Sequence, residues 1–84
     1  MLNEYLNAAL ATAKYEIIED TEPYYGEIPD LKGVWATGTS FEDCKQKLLS
    51  VLEEWIILRI LFGKNIPTIN GLTITIPVEN KVIA

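Results

Sequence analysis

The run YYGEIPDLKGVWATGTSFEDC, residues 24–44, holds two short segments rich in aromatic and β-branched side chains, a turn between them and a helix start. Tyr24 to Ile28 reads as one strand and Gly33 to Thr37 as the next. Between them Pro29 presets φ, Asp30 can bond its own backbone and Gly33 admits positive φ, which together make a turn. Gly38 then interrupts the pattern. Thr39 with Glu42 three residues on forms a capping box, so a helix is expected to begin there.

Downstream of that box, Phe41, Cys44, Leu48, Leu52 and Trp55 recur at helical spacing until Gly63, a residue suited to the left-handed position past a helix end. The spacing predicts a helix of roughly 22 residues, about 33 Å long. Ile66-Pro67 and Asn70-Gly71 mark a return loop, and Leu72, Ile74 and Ile76 alternate with threonines up to Pro77, the signature of a fourth strand. The tail from Val78 to Ala84 is assigned to no element. Upstream, Lys14 to Glu19 forms a strand whose turn, Asp20-Thr21-Glu22-Pro23, leads back into Tyr24. Leu2, Tyr5, Leu6, Ala9, Leu10 and Ala13 predict an amphipathic N-terminal helix with Asn3 as its cap. The expected class is α+β: N-terminal helix, three-stranded antiparallel sheet, one long helix on a sheet face and a fourth strand.

Eighty-four residues, 49% hydrophobic and 23% charged, make one globular domain, 1–84, with no second core, repeat or linker. At this length only roughly 60–65% of the unfolded surface can be buried, so a partner or a second copy is a realistic supplement. Trp55 to Phe62 supports that view, because Arg59 is its single polar residue and one sheet cannot cover a helix that is apolar all round. Either the N-terminal helix or a second subunit must cover the rest. Trp55, Ile57, Leu58, Leu61 and Phe62 are the candidate oligomer interface.

Composition also excludes chemistry. With no histidine and a single cysteine, Cys44, the chain has no His-based acid–base pair, no Ser-His or Cys-His nucleophile and no Cys/His zinc site. The expectation is a non-enzyme without cofactor or metal. Cys44 lies on the buried stripe and reads as an apolar filler. Glu19, Asp20 and Glu22 form the densest carboxylate cluster but sit in a polar turn, where solvation is the plain reading. Glu53-Glu54 point apart on the long helix and are read as solvent-exposed. Gly38-Thr39-Ser40 lacks the further glycines and lysine of a phosphate loop. No apolar run reaches the ~20 residues of a membrane span. No basic leader followed by an apolar stretch opens the chain, so a cytoplasmic location is expected.

Net charge is −5, which argues against binding to a phosphate backbone. The charge is concentrated: residues 15–30 hold Glu16, Glu19, Asp20, Glu22, Glu27 and Asp30 without Lys or Arg, a local −6 that leaves +1 for the rest of the chain. Such a stretch either steers a basic partner or serves as a solvated edge. Tyr24, Tyr25 and Trp35, in neighbouring strands, divide by alternation into a core set and an interface set.

Tyr24-Tyr25-Gly26-Glu27-Ile28-Pro29-Asp30-Leu31-Lys32-Gly33-Val34-Trp35-Ala36-Thr37-Gly38-Thr39, followed by Phe41-Glu42-Asp43-Cys44, resembles the HicB antitoxin family. The shared pattern is an aromatic-rich strand, a Pro-(Asp/Glu)-Leu-x-Gly turn, a strand ending in Gly, and a Thr or Ser opening a helix with acidic residues in its first turn. Leu48, Leu49, Leu52, Trp55 and Ile66-Pro67 extend the match, which spans about residues 14–76. The resemblance implies the partial RNase H-like fold of those antitoxins, without nuclease activity. It also implies occlusion of a small basic RNase toxin of the HicA type, with Glu19, Asp20, Glu22, Tyr24 and Tyr25 as candidate contacts. Many HicB proteins carry a further C-terminal DNA-binding domain, so a single-domain form lacking it is expected. The alternative is an orphan HicB-like module that self-associates without a toxin in a structural or regulatory role.

Overall fold

The computed structural model describes residues 2–72, which run in the order α1 (Leu2–Ala11), β1 (Lys14–Ile17), β2 (Tyr24–Glu27), β3 (Trp35–Gly38) and α2 (Phe41–Leu61). The sheet is antiparallel with strand order β1-β2-β3. This is the expected α+β arrangement of N-terminal helix, three-stranded sheet and long helix. Leu72 is the last described residue, so the expected fourth strand through Ile74 and Ile76 and the tail 78–84 lie outside the described residues.

α1 buries Tyr5, Leu6 and Ala9 at the predicted spacing. It already includes Asn3, the residue expected to cap it. Thr12 ends it, with both backbone N–H and side-chain hydroxyl bonding the Ala9 carbonyl. The Tyr5 hydroxyl donates to the Pro67 carbonyl and so ties the helix to the return loop.

β1 and β2 pair in the register Tyr15↔Gly26 and Ile17↔Tyr24. β1 stops at Ile17, short of the expected Glu19, because the Ile18 N–H turns to the Pro23 carbonyl at 2.8 Å and closes the loop. Between β2 and β3, the Ile28 N–H bonds the Val34 carbonyl, Leu31 bonds Ile28 and Val34 bonds Leu31. Gly33, at φ 91°, completes this turn as its sequence predicts. Ile28, Leu31 and Val34 are all buried, so the connection supplies core as well as reversal.

α2 packs on the face carrying Gly26, Ala36 and Gly38. A Cβ on Gly38 would collide with the backbone nitrogen of Cys44, and one on Gly26 would lie 3.2 Å from its Sγ. Gly38 therefore sets the closeness of helix to sheet by lacking a side chain, and Gly26 leaves room for the Tyr15 ring and the Cys44 thiol. The helix cap sits one residue beyond the expected Thr39/Glu42 pair. Ser40 is the N-cap and accepts the Asp43 N–H at 3.0 Å, while the Asp43 carboxylate accepts the Thr39 N–H at 3.0 Å. Spacing alone does not separate two overlapping serine/threonine-to-acid pairs. Gly63, at φ 66°, follows the C-cap, with Lys64 N–H bonded to Arg59 O and Gly63 N–H to Ile60 O, the Schellman arrangement.

Cys44, Leu48, Leu52 and Ile56 form the buried stripe of α2. Ile56 replaces the expected Trp55, and Phe41 is exposed at the helix start. The larger aliphatic side chains contribute on the order of 1.5–3 kcal/mol each through burial. Beyond α2, Asn70 and Gly71 both take positive φ and let Ile69 pair with Leu72 as a tight reversal, with Ile69 closing the core. No helix among the described residues is long and apolar enough to cross a membrane.

Candidate partner-binding surface

Alternation along each strand sends Lys14 and Glu16 of β1, Tyr25 and Glu27 of β2, and Trp35 and Thr37 of β3 to the face opposite α2. Register aligns them in two rows, Glu16–Tyr25–Thr37 and Lys14–Glu27–Trp35. Among the described residues no element covers this face, and Trp35 is 54% exposed. The Tyr25 and Trp35 rings stack with centroids 6.0 Å apart and planes 27° from parallel.

The Tyr25 hydroxyl donates to Glu27 Oε1 at 3.0 Å. Its pKa is raised, by desolvation first and then by the Glu27 hydrogen bond and the negative charges of Glu27 and Glu16, so the phenol stays neutral and donating. Beside it lies a shallow depression of ≈ 400 Å³ whose rim includes Lys14, Glu16 and Glu27. The face thus offers a rigid aromatic pair edged by two carboxylates and one ammonium. That chemistry suits a basic side chain, whose cation can lie over an aromatic ring and donate to a carboxylate.

The expected contact residues are distributed over several places. Glu19 and Asp20 are exposed in the 18–23 turn, where Asp20 Oδ1 accepts the Thr21 N–H at 2.8 Å. Glu22 is engaged within the chain: Thr37 Oγ1 donates to it at 2.6 Å and Lys47 Nζ at 3.2 Å. Lys47 also bridges to Asp43 at 3.3 Å, so this trio latches the β1–β2 turn to α2. The Thr37 hydrogen bond, followed by Lys47, holds the Glu22 carboxyl below its usual range. Tyr24 faces the α2 side, opposite Tyr25, near Ile17 and Phe41. Tyr25 is brought together with Glu16, Glu27 and Trp35. Period-2 alternation at residues 14 and 16, 25 and 27, and 35 and 37 was the signal that could have selected these four together.

At the far end of α2, Ile57, Leu58, Leu61 and Phe62 are exposed together with Ile60. Trp55 differs: it is half-buried, with the Arg59 guanidinium 4.5 Å above its ring. Cys44 is buried and its thiol donates to the Ala36 carbonyl at 3.5 Å. Desolvation, more than the neighbouring Asp43 charge, pushes its pKa up, which leaves it a weak nucleophile. Among the described residues no three His, Cys, Asp or Glu side chains converge as metal ligands.

This architecture recurs in the crystal structure of TTHA0281 from Thermus thermophilus, which is 47% identical, with a TM-score of 0.87 over 90% of this chain and 94% of that one. No curated protein matches. The UPF0150-like family model matches residues 4–67, from the first turn of α1 to Pro67, and by that match the chain belongs to the UPF0150-like family.

Proposed function

We propose that this chain is a HicB-like antitoxin domain that binds a small basic RNase of the HicA type and inhibits it by covering its catalytic surface, without catalysis of its own. The observation that carries this reading is the uncovered sheet face, where the Tyr25–Trp35 stack lies beside Glu16 and Glu27. Large aromatic rings with polar tips anchor protein interfaces, and the carboxylates steer a cationic partner toward them. Exposed Glu19 and Asp20 in the adjoining turn add to the negative field. The motif resemblance to HicB antitoxins supplies the class of partner, and a cytoplasmic setting follows from an RNA-cleaving toxin. Absence of histidine and burial of Cys44 support a role exercised by occlusion.

The test is inhibition of a purified HicA-type RNase by the purified full chain, at low and at moderate salt. RNA cleavage should stop at stoichiometric chain, with association slowed by salt. Trp35→Ala should weaken inhibition by about 10–100-fold, as loss of an interface anchor does. Glu27→Lys should slow association without unfolding the domain. RNA cleavage undiminished by an excess of chain would sink the proposal, and full inhibition by both variants would remove the sheet face from it.

A further inference from the structure

The four-residue strands span roughly 13 Å, whereas the 21 residues of α2 span about 31 Å, so the helix overruns the sheet it packs on. Its buried stripe ends at Ile56, and no later residue of α2 is buried. Leu61 is 72% exposed and Phe62 70%, with Ile57, Leu58 and Ile60 also open. α1 closes only part of the gap, leaving a mostly apolar groove of ≈ 310 Å³ between Leu6 on one helix and Glu53, Ile56, Ile57 and Ile60 on the other. The five exposed side chains present roughly 550 Å² per copy, the upper range of apolar patch that a monomer ordinarily shows to water.

We infer that this end of α2 is the interface of a homodimer, with a second copy of the chain as its occupant. Full burial of two such patches would remove at most about 1,100 Å² from water, just above the ~1,000 Å² that a candidate interface should clear. The flanking charges favour a copy of the same helix. Glu53 and Glu54 precede the patch and Lys64 follows it, so an antiparallel two-fold arrangement sets acid against base at both rims. Arg59 stacks on Trp55 and hydrogen-bonds the Asn65 carbonyl at 3.2 Å, which draws its charge off the apolar surface. α2 and the Tyr25–Trp35 stack lie on opposite faces of the sheet. A dimer built on α2 therefore leaves both open sheet faces free and presents two binding surfaces per particle.

Sedimentation equilibrium of the full chain across the micromolar range tests this. Wild type should show twice the mass of one chain. Leu61→Glu with Phe62→Glu should weaken dimerisation by ~100-fold or more, as burying unpaired charge in an apolar interface does. The far-ultraviolet circular dichroism of that variant should stay unchanged, since both side chains are already exposed. Trp35→Ala should leave the dimer intact, so failure here is separable from failure of the toxin-binding proposal. A wild-type mass of one chain at all concentrations would overturn the inference, as would a dimer that survives the double substitution. A monomer in which cysteines placed at Leu61 and Ile76 cross-link would equally overturn it, giving the patch to residues 73–84 of the same chain.

Discussion

Gly38→Ala should destabilise the fold although nothing in its backbone conformation demands glycine. The added Cβ would collide with the Cys44 nitrogen and stand 2.7 Å from its Cα and 3.0 Å from the Asp43 carbonyl carbon, all backbone atoms of the first turns of α2. No rotamer change relieves such contacts, so helix and strand must separate by about 1 Å, a gap that forfeits a quarter to a half of each facing dispersion contact. Overpacking of this kind costs about 1–3 kcal/mol. The stiffer unfolded chain returns about 0.4–1 kcal/mol. A net loss of about 1.3 kcal/mol lowers Tm by about 5–10 °C in a domain of this size. Gly26→Ala is the comparison, because its Cβ meets the Tyr15 ring at 2.7 Å and Cys44 Sγ at 3.2 Å, side-chain atoms that can give way. Thermal unfolding followed by circular dichroism checks both. A Gly38→Ala chain melting within ~2 °C of wild type, or above Gly26→Ala, would refute the claim that glycine here sets the helix–sheet distance.

Acid should weaken the fold through the Glu22–Lys47–Asp43 latch. Both carboxyls lie below their ordinary values when folded, Glu22 mainly through Thr37 and Asp43 mainly through the Thr39 N–H, so the unfolded chain binds more protons in that window. Their stabilisation is complete above the ordinary carboxylate values and is lost as pH falls through the lowered folded ones. Exposure keeps the effect small. Lys47→Gln should flatten the acid limb of Tm against pH, and an unchanged limb would refute the latch. Cys44 should react slowly with a thiol reagent at neutral pH in the native chain and fully in denaturant, since burial both shields it and raises its pKa. Rapid native labelling would show that the stripe opens.

Local patterns in the sequence predicted the elements well because each carries its own physical signal. Gly33 and Gly63 both take the positive φ assigned to them, and Leu48 and Leu52 are buried as helical spacing requires. The misplacements occurred where two candidates satisfy one rule. Thr39/Glu42 and Ser40/Asp43 offer the same cap spacing, and only the path of the chain leaving β3 selects the second. Trp55 and Ile56 both continue the apolar stripe of α2, and the Arg59 guanidinium over the indole holds the former at the margin. The candidate surface was less legible, because sequence proximity gathers residues that a strand then sends to opposite faces. Tyr24 and Tyr25 are neighbours in the chain and lie on different sides of the sheet, while Tyr25 and Trp35, ten positions apart, stack.

Charge counted along a chain is also not charge offered to a partner. Of the six acids in residues 15–30, Glu22 is paired with Lys47 within the fold, Glu16 and Glu27 lie beside the aromatic pair, Glu19 and Asp20 stand at the β1–β2 turn and Asp30 is exposed in the β2–β3 turn. The −6 segment is therefore divided among a structural latch, the open sheet face and two exposed turns, and these respond to different perturbations. Neutralising Glu22 loosens the turn from α2 and acts on stability first. Reversing Glu27 should leave the latch intact and, under the proposed function, act on encounter with a basic partner. The apolar end of α2 lies on the other side of the sheet from Glu27 and Trp35. If both proposals hold, substitutions there should change the mass of the particle while each sheet face keeps its chemistry, so self-association and partner binding should respond to separate substitutions.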